Sequence, residues 1–390
     1  MSRRAHESLL ILAGIALCVA GAHGQAGDGP SQVTAERLAE PGWWPTKGDS
    51  ARSLYVGDGA CQGCHGKIAD QQETTAMYHA GMRADQANPL KGNRQLKFHE
   101  AGFTAALAIG AGGVTYTVSD SSGSAASPVT WAFGAGKNGQ TYILEKDAGY
   151  IESRVSYFSR LDALDVTPGQ LPEAPGGAEK ALGRRMGRTE VQLCFRCHTT
   201  EAVTAKVFES EKAIPGIRCE ACHGPGAEHA TAMTAKDFAA SAATIMNPAG
   251  LSPVDSVDFC GACHRTWADV LMQMPANPGV GNIRFQPYRL EESRCWGPNG
   301  DARITCVACH DPHQPLVREL GSYDSKCRAC HSASVGAKDH VAKTTCKVAT
   351  SNCVSCHMPK YELPQTHASF TDHDIRVVRD KTLDGEKQSP

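Results

Sequence analysis

Apolar residues run without a break from Leu9 to Val19, behind the cationic pair Arg3 and Arg4 and ahead of Ala20-Gly21-Ala22. That order is the three-part pattern of a secretory leader spanning 1–22 and cleaved after Ala22; it is too short to cross a bilayer. The paired arginines also suit twin-arginine export, and Cys18 a lipid anchor. Bulky Leu17 argues against lipidation, and general secretion fits an unfolded, exported chain better. Residues 23–52, rich in Gly, Ala, Pro and charge, read as a loose lead-in. A helix-compatible stretch follows from Lys67 through Met82. The period then changes to two, in Val114-Thr-Tyr116-Thr-Val118, in Val129-Thr-Trp131-Ala-Phe133, and in Thr141–Leu144 with Tyr150–Val155. Gly136–Gly139 and Asp147–Gly149 punctuate these runs as turns, so a small antiparallel hairpin unit is expected within a β-rich insert at 95–178.

From 179 onward no period is sustained. Short helix-compatible pieces, notably Ala230–Met246 and Thr266–Met274, lie between unequal intervals that rule out a solenoid. The pattern therefore predicts a mainly α and irregular fold, with one small antiparallel β unit near the N-terminus. Its segments are 53–94, the β insert at 95–178, a long C-terminal body at 179–376 and a tail at 377–390.

Cysteine usage explains the irregularity. Of 17 cysteines, all but three fall into seven Cys-x-x-Cys-His motifs, and no Cys-x-x-Cys lacks the following histidine. The pairs are Cys61/Cys64, Cys194/Cys197, Cys219/Cys222, Cys260/Cys263, Cys306/Cys309, Cys327/Cys330 and Cys353/Cys356. Two thiols at this spacing form thioethers to the vinyl groups of a haem, and the adjacent histidine becomes the proximal iron ligand. The proximal set is then His65, His198, His223, His264, His310, His331 and His357. Zinc knuckles would not require that histidine every time. Seven covalent haem c groups are expected, forming a stacked core, with 53–94 carrying the first and 179–376 the other six. The two cysteines left outside the leader, Cys295 and Cys346, most simply form one disulfide in an oxidising compartment; buried free thiols are the alternative.

Aromatic residues make up only 6% of the chain, which fits a core filled by flat macrocycles instead. The formal charge of −2 omits the haem propionates, so the loaded protein is acidic, which excludes nucleic acid as a partner.

A haem with a second protein ligand carries electrons, whereas an open sixth position admits a substrate. Seven non-proximal histidines are available in the body of the chain: His79, His99, His229, His313, His340, His367 and His373. His313 follows the rigid Asp-Pro of Cys-His-Asp-Pro-His, while His99, in Leu-Lys-Phe-His-Glu, reads equally as a surface residue. His229 follows His223 across Gly-Pro-Gly. Six residues span at most about 20 Å, and the turn uses up that reach, so His229 is expected to cap a neighbouring haem, as is His313.

Several stretches together give the chain a family look: Tyr55-Val-Gly57 with Cys61–His65 and His79; Gly134 through Tyr142; Gly216-Ile-Arg-Cys219 through His229; Cys306 through His313; and Cys353 through Pro359 with Phe370-Thr-Asp-His373. Over roughly 55–380 the chain resembles exported multihaem cytochromes of the cytochrome c-552/c-554 type. The resemblance implies low-potential, mostly bis-histidine haems in packed pairs that pass electrons onward. Family members in nitrogen metabolism carry electrons from hydroxylamine oxidation, and related enzymes reduce nitrite or oxidise hydroxylamine at an open haem. The Cys-x-x-Cys-Lys motif of such enzymes is missing here.

The expected function is electron transfer between redox partner proteins, such as other cytochromes, quinol-linked membrane complexes or a terminal reductase. The expected location is the periplasm, with an extracellular or membrane-associated position left open and no transmembrane segment in the mature chain. The competing reading is an oxidoreductase acting on a small nitrogen or sulfur compound at one five-coordinate haem.

Overall fold

Strands dominate the first half of the chain. In the computed structural model, which describes residues 48–378 apart from 101, 171–174, 274–278, 297–302, 332–345 and 347, nine strands join in one antiparallel sheet. These are β1 (Gly81–Arg83), β2 (Leu96–Glu100), β3 (Phe103–Gly110), β4 (Gly113–Asp120), β5 (Gly123–Phe133), β6 (Gly139–Lys146), β7 (Gly149–Phe158), β8 (Ala163–Val166) and β9 (Gly183–Met186). β2 through β8 form a meander, while β1 adds to β5 and β9 to β7. β8 comes back against β2, so the sheet curls into a nearly closed barrel.

Local chemistry explains this course. In β4 the alternation buries Val114, Tyr116 and Val118 and turns Thr115 outward. The β6–β7 turn puts Asp147 and Ala148 at φ 53° and 56°, the left-handed pair that a tight two-residue hairpin requires. Between β4 and β5, the Asp120 carboxylate accepts the N–H groups of Ser122 and Gly123 and closes the turn. A bulge between Val129 and Trp131 then slips β5 by one residue against β6. Val129 stays with the inner cluster of Leu107, Tyr116, Tyr142 and Leu144, while Trp131 and Phe133 move to the outer face.

That outer face seats the rest of the protein. Helix α1 (Asp58–Gln72) precedes the barrel and α2 (Arg188–His198) follows it. Val191 and Phe195 of α2 pack on Trp131, Phe133 and Ile143, with Trp131 and Phe195 meeting edge to face at 5.2 Å. Beyond α2 come short helices: α3 (Cys219–His223), α4 (Ala227–Thr234), α5 (Phe238–Ala243), α6 (Pro253–His264), α7 (Trp267–Gln273), α8 (Gln286–Glu291), α9 (Cys306–Cys309), α10 (Asp324–His331) and α11 (Cys353–His357). Three two-stranded ladders lie among them: β10 (Thr199–Thr200) with β13 (Ile214–Pro215), β11 (Val203–Thr204) with β12 (Val207–Phe208), and β14 (Lys360–Leu363) with β15 (Ala368–Thr371). None of the helices among the described residues is long and apolar enough to cross a membrane.

Near the C-terminus the Arg289 guanidinium, 3% exposed, makes two parallel bonds to the fully buried Asp372 carboxylate, at 2.8 and 2.9 Å. Burial would raise the Asp372 pKa, but Arg289 and Arg376 outweigh it and hold the group below the usual carboxylate range. Arg289 also pairs with Glu292. Ser293 then ties the next residues down, donating to the His373 carbonyl and accepting from the Ile375 N–H.

The expected fold class is thereby corrected. The chain is not mainly helical with a small β unit: the sheet reaches from Gly81 to Met186, past both edges of the expected 95–178 insert. The short strands Gly-Met-Arg and Gly-Arg-Arg-Met have no apolar alternation to reveal them, and β3 is rich in Ala and Gly, which are weak strand formers. The expected Lys67–Met82 helix stops at Gln72, and Ala230–Met246 divides into α4 and α5. The leader, the lead-in as far as 47, the tail beyond 378 and His340 lie outside the described residues.

Two outcomes follow. Trp131→Ala, which empties the barrel–α2 interface, is expected to lower stability by about 3–5 kcal/mol, measured by denaturant unfolding of the haem-loaded protein; a loss below ~1 kcal/mol would remove that interface from the account. Arg289→Met leaves Asp372 buried with Arg376 alone, and a loss near the lower end of about 3–5 kcal/mol is expected in the same assay.

Candidate haem-binding sites

All seven motifs fall on helices, and most close theirs. α2, α3, α6, α10 and α11 end on the motif histidine, α9 ends on Cys309 one residue before His310, and α1 carries Cys61–His65 in its interior with a non-helical kink at His65 (φ −109°, ψ 31°). One helical turn puts the two cysteines of a motif on the same face, the arrangement that a double thioether attachment needs.

The imidazoles themselves test whether such a group fits. His198 donates Nδ1–H to the Ala80 carbonyl at 2.7 Å, His223 to Met246 at 2.8 Å and His357 to Arg376 at 2.8 Å. Two non-motif histidines do the same, His229 to Ser241 and His373 to Thr371, each at 3.0 Å. A carbonyl oxygen can only accept, so the proton sits on Nδ1 and the Nε2 lone pair is left for a metal. Burial disfavours the charged imidazolium at five positions, depressing the pKa of His198, His223, His264 and His310 and bringing His373 down to about 4. Among the described residues no three His, Cys, Asp or Glu side chains converge as a cage for a bare ion. Thioether-ready pairs followed by an imidazole with a free Nε2 fit haem iron.

Three motif histidines face a histidine from another stretch. The His65 and His229 ring centroids lie 6.4 Å apart with planes at 27°; His223 and His313 lie at 6.0 Å and 7°; His310 and His373 lie at 6.3 Å and 44°. An iron held between two imidazoles needs roughly 6 Å between centroids, from two metal–nitrogen bonds of about 2 Å and the two half-rings. Sulfurs of different motifs also meet in four places: Cys61 with Cys219, Cys197 with Cys263, Cys260 with Cys306, and Cys327 with Cys353. The Cys219 contact holds the Cys61 thiol below its ordinary pKa and pushes its partner up.

Carboxylates outside the expected ligand set hold these pairs in register. Asp324, the first residue of α10, accepts the Asn352 and Cys353 N–H groups at 2.7 and 2.9 Å and so caps α11. Asp58, the first residue of α1, takes the Cys219 N–H at 3.4 Å and the Arg218 guanidinium. Both belong to Asp-x-x-Cys-x-x-Cys-His, a signal present in the sequence but not used in reading it. The second motif leans on the barrel: Phe133 lies 4.8 Å from the His198 ring with planes at 14°. A Cβ at Gly81 would come within 2.3 Å of the His198 carbonyl oxygen, so only glycine lets β1 approach this closely.

The other expected ligands sit apart from these pairs. His79 is exposed, edge-on to Tyr78, and His99 lies exposed on β2 with Nδ1 3.1 Å from the Thr104 hydroxyl. His367 has its Nε2 2.6 Å from the Asp165 carboxylate of β8, so that nitrogen is already engaged. Cys295 is half-buried and Cys346 exposed in this structure, each with a free thiol.

The sixth motif has a partner from outside its own helix. The half-buried Cys330 Sγ accepts a bond from the Arg303 guanidinium at 3.4 Å. Arg303 stands 27 residues earlier in the chain, so spacing within the motif gives no sign of this partner. A thioether sulfur keeps its lone pairs and remains a weak acceptor, so the arginine contact and attachment at Cys330 are chemically compatible.

Known proteins share these features in part. The family model for cytochrome c554 and c-prime matches residues 174–224, which hold the second and third motifs. The multiheme cytochrome MtrA of Shewanella baltica (strain OS185) is 25% identical over 230 residues, 56% of this chain. The match spans only 58% of MtrA's own length. The crystal structure of the outer cell wall cytochrome OcwA aligns over 83% of this chain and 80% of its own, at 14% identity and a TM-score of 0.47. Helix-borne Cys-x-x-Cys-His motifs, imidazoles poised for iron and the matches to cytochrome c554 and to a multiheme cytochrome agree: the chain carries the features of a multihaem c-type cytochrome, with haem held covalently.

Proposed function

We propose that this chain is an exported, periplasmic heptahaem cytochrome that passes electrons between redox partners through closely packed, mostly bis-histidine haems. The observation that carries this reading is the set of three facing imidazole pairs at 6.0–6.4 Å. Each cysteine pair holds one haem, which supplies an iron that gains and loses a single electron. The motif histidines would hold the irons, joined by His229 at the haem tethered to Cys61 and Cys64, by His313 at the one on Cys219 and Cys222, and by His373 at the one on Cys306 and Cys309. His79, His99 and His340 remain for the other irons, whereas Asp165 holds the Nε2 of His367. A second imidazole keeps iron low-spin, so little rearrangement accompanies each transfer, and it sets a lower potential than methionine does.

The contacts also support a continuous route. Histidine pairs connect the first motif to the third, the third to the fifth and the fifth to the seventh. Thiol contacts join the second to the fourth, the fourth to the fifth and the sixth to the seventh. No motif stands alone. Cys64, Cys309 and Cys356 are exposed at the first, fifth and seventh motifs, and those three haems would be the points where partners deliver and remove electrons.

Iron and pyridine haemochrome assays on the purified protein are expected to give seven haems per chain; six or fewer would remove a motif from the set. His313→Ala should leave that count unchanged and convert one low-spin haem to a high-spin, carbon monoxide-binding one. An unaltered electron paramagnetic resonance spectrum would rule out His313 as a ligand.

A further inference from the structure

Glu220 occupies one of the two interior positions of the third motif, a place that haem attachment leaves chemically free. Its side chain does not face solvent: the residue is 3% exposed. The carboxylate accepts three backbone N–H groups, from Val56 at 2.9 Å, Gly57 at 2.8 Å and Gly226 at 2.7 Å. Gly57 is the N-cap of α1, which carries His65, and Gly226 is the N-cap of α4, which carries His229. A single carboxylate thus grips the starts of the two helices whose histidines face each other at 6.4 Å. Room at this joint is limited, since a Cβ on Gly226 would sit 3.0 Å from Val56 Cγ2 and 3.3 Å from Glu220 Oε1.

We infer that Glu220 is a positioning residue: from within the third motif it keeps His229 opposite His65 and lowers the reduction potential of the haem between them. The inference rests on the reading of His65 and His229 as the two ligands of that iron. Two effects follow from one group. Three charge-assisted N–H bonds fix the helix starts and with them the separation of the imidazoles. A buried negative charge favours the more positive, oxidised iron, because little solvent screens it. A glutamine matches the carboxylate in shape but has one oxygen for three donors, so its amide NH2 would be turned against a backbone N–H.

The test compares Glu220→Gln, Glu220→Asp and His229→Ala in the fully haem-loaded protein, by redox titration followed in the visible spectrum, electron paramagnetic resonance and carbon monoxide titration of the reduced form. His229→Ala is expected to add one carbon monoxide-binding haem relative to wild type. Glu220→Gln should open the same haem in a fraction of molecules, with an unchanged haem count, and should shift one potential upward while the others stay in place. Glu220→Asp keeps the charge but is too short for all three amides, so it should open that haem with a smaller rise in potential; it also serves if the glutamine variant is not recovered folded. If His229→Ala opens a haem while both Glu220 variants keep wild-type potentials and carbon monoxide binding, the role of Glu220 is overturned and the ligand reading stands. If His229→Ala opens none, both are overturned.

Discussion

In the proposed ligation, the haem-bearing half of this protein depends on one requirement: two imidazoles from distant parts of the chain must be held roughly 6 Å apart with their free nitrogens available. Backbone carbonyls of Met246, Ser241 and Thr371 do much of this by taking the Nδ1 protons of His223, His229 and His373. Those carbonyls come from different kinds of structure: Met246 lies in a loop, Ser241 in the short helix α5 and Thr371 at the end of β15. Short elements and loops alike thus serve as supports for the rings. Helices of four to fifteen residues carry the motifs, because each has only to present two thiols and an imidazole.

The barrel solves a different problem. The second motif has a broad protein surface beneath it, and its helix α2 rests on Trp131, Phe133 and Ile143. The bulge at Val129–Trp131 makes this possible, since without the slip Trp131 would share the inner face with Val129. β1 then extends the same platform, and the Ala80 carbonyl just ahead of it receives the His198 proton. A sheet that buries apolar residues on both faces gives the second motif a rigid base.

Much of the site was legible because its chemistry leaves little freedom: thioether attachment dictates Cys-x-x-Cys-His whatever the surroundings. The turn at Gly-Pro-Gly and the rigid Asp-Pro also indicated that His229 and His313 point away from their own motifs, and the structure places their rings beside His65 and His223. The extent of the sheet was not legible. Tertiary pairing makes strands of Gly81–Arg83 and Gly183–Met186, whose residues have no intrinsic preference for that state. Glu220 escaped notice for the opposite reason, as it lies in a motif so recognisable that its interior positions look free. Arg303 beside Cys330 was hidden in a third way, since a fold-dependent contact leaves no local spacing to read. Asp58 and Asp324, each three residues before a first cysteine, were readable as a shared pattern, but what they cap became visible only in three dimensions.

Pairing histidines across the chain also constrains how the protein is assembled. In the proposed ligation, the iron tethered at Cys61 and Cys64 waits for His229, and the iron at Cys306 and Cys309 waits for His373, beyond every attachment motif. A chain that emerges N-terminus first therefore exposes each haem with a vacant side until a much later segment arrives. On that ligation the three sites close in turn as His229, His313 and His373 arrive, with Arg289 and Asp372 locking down the segment that bears the last of them. A nascent chain cut short before residue 373 would present a reactive iron to whatever small molecule surrounds it, so completing the C-terminus is what turns a string of reactive haems into a sheltered conductor.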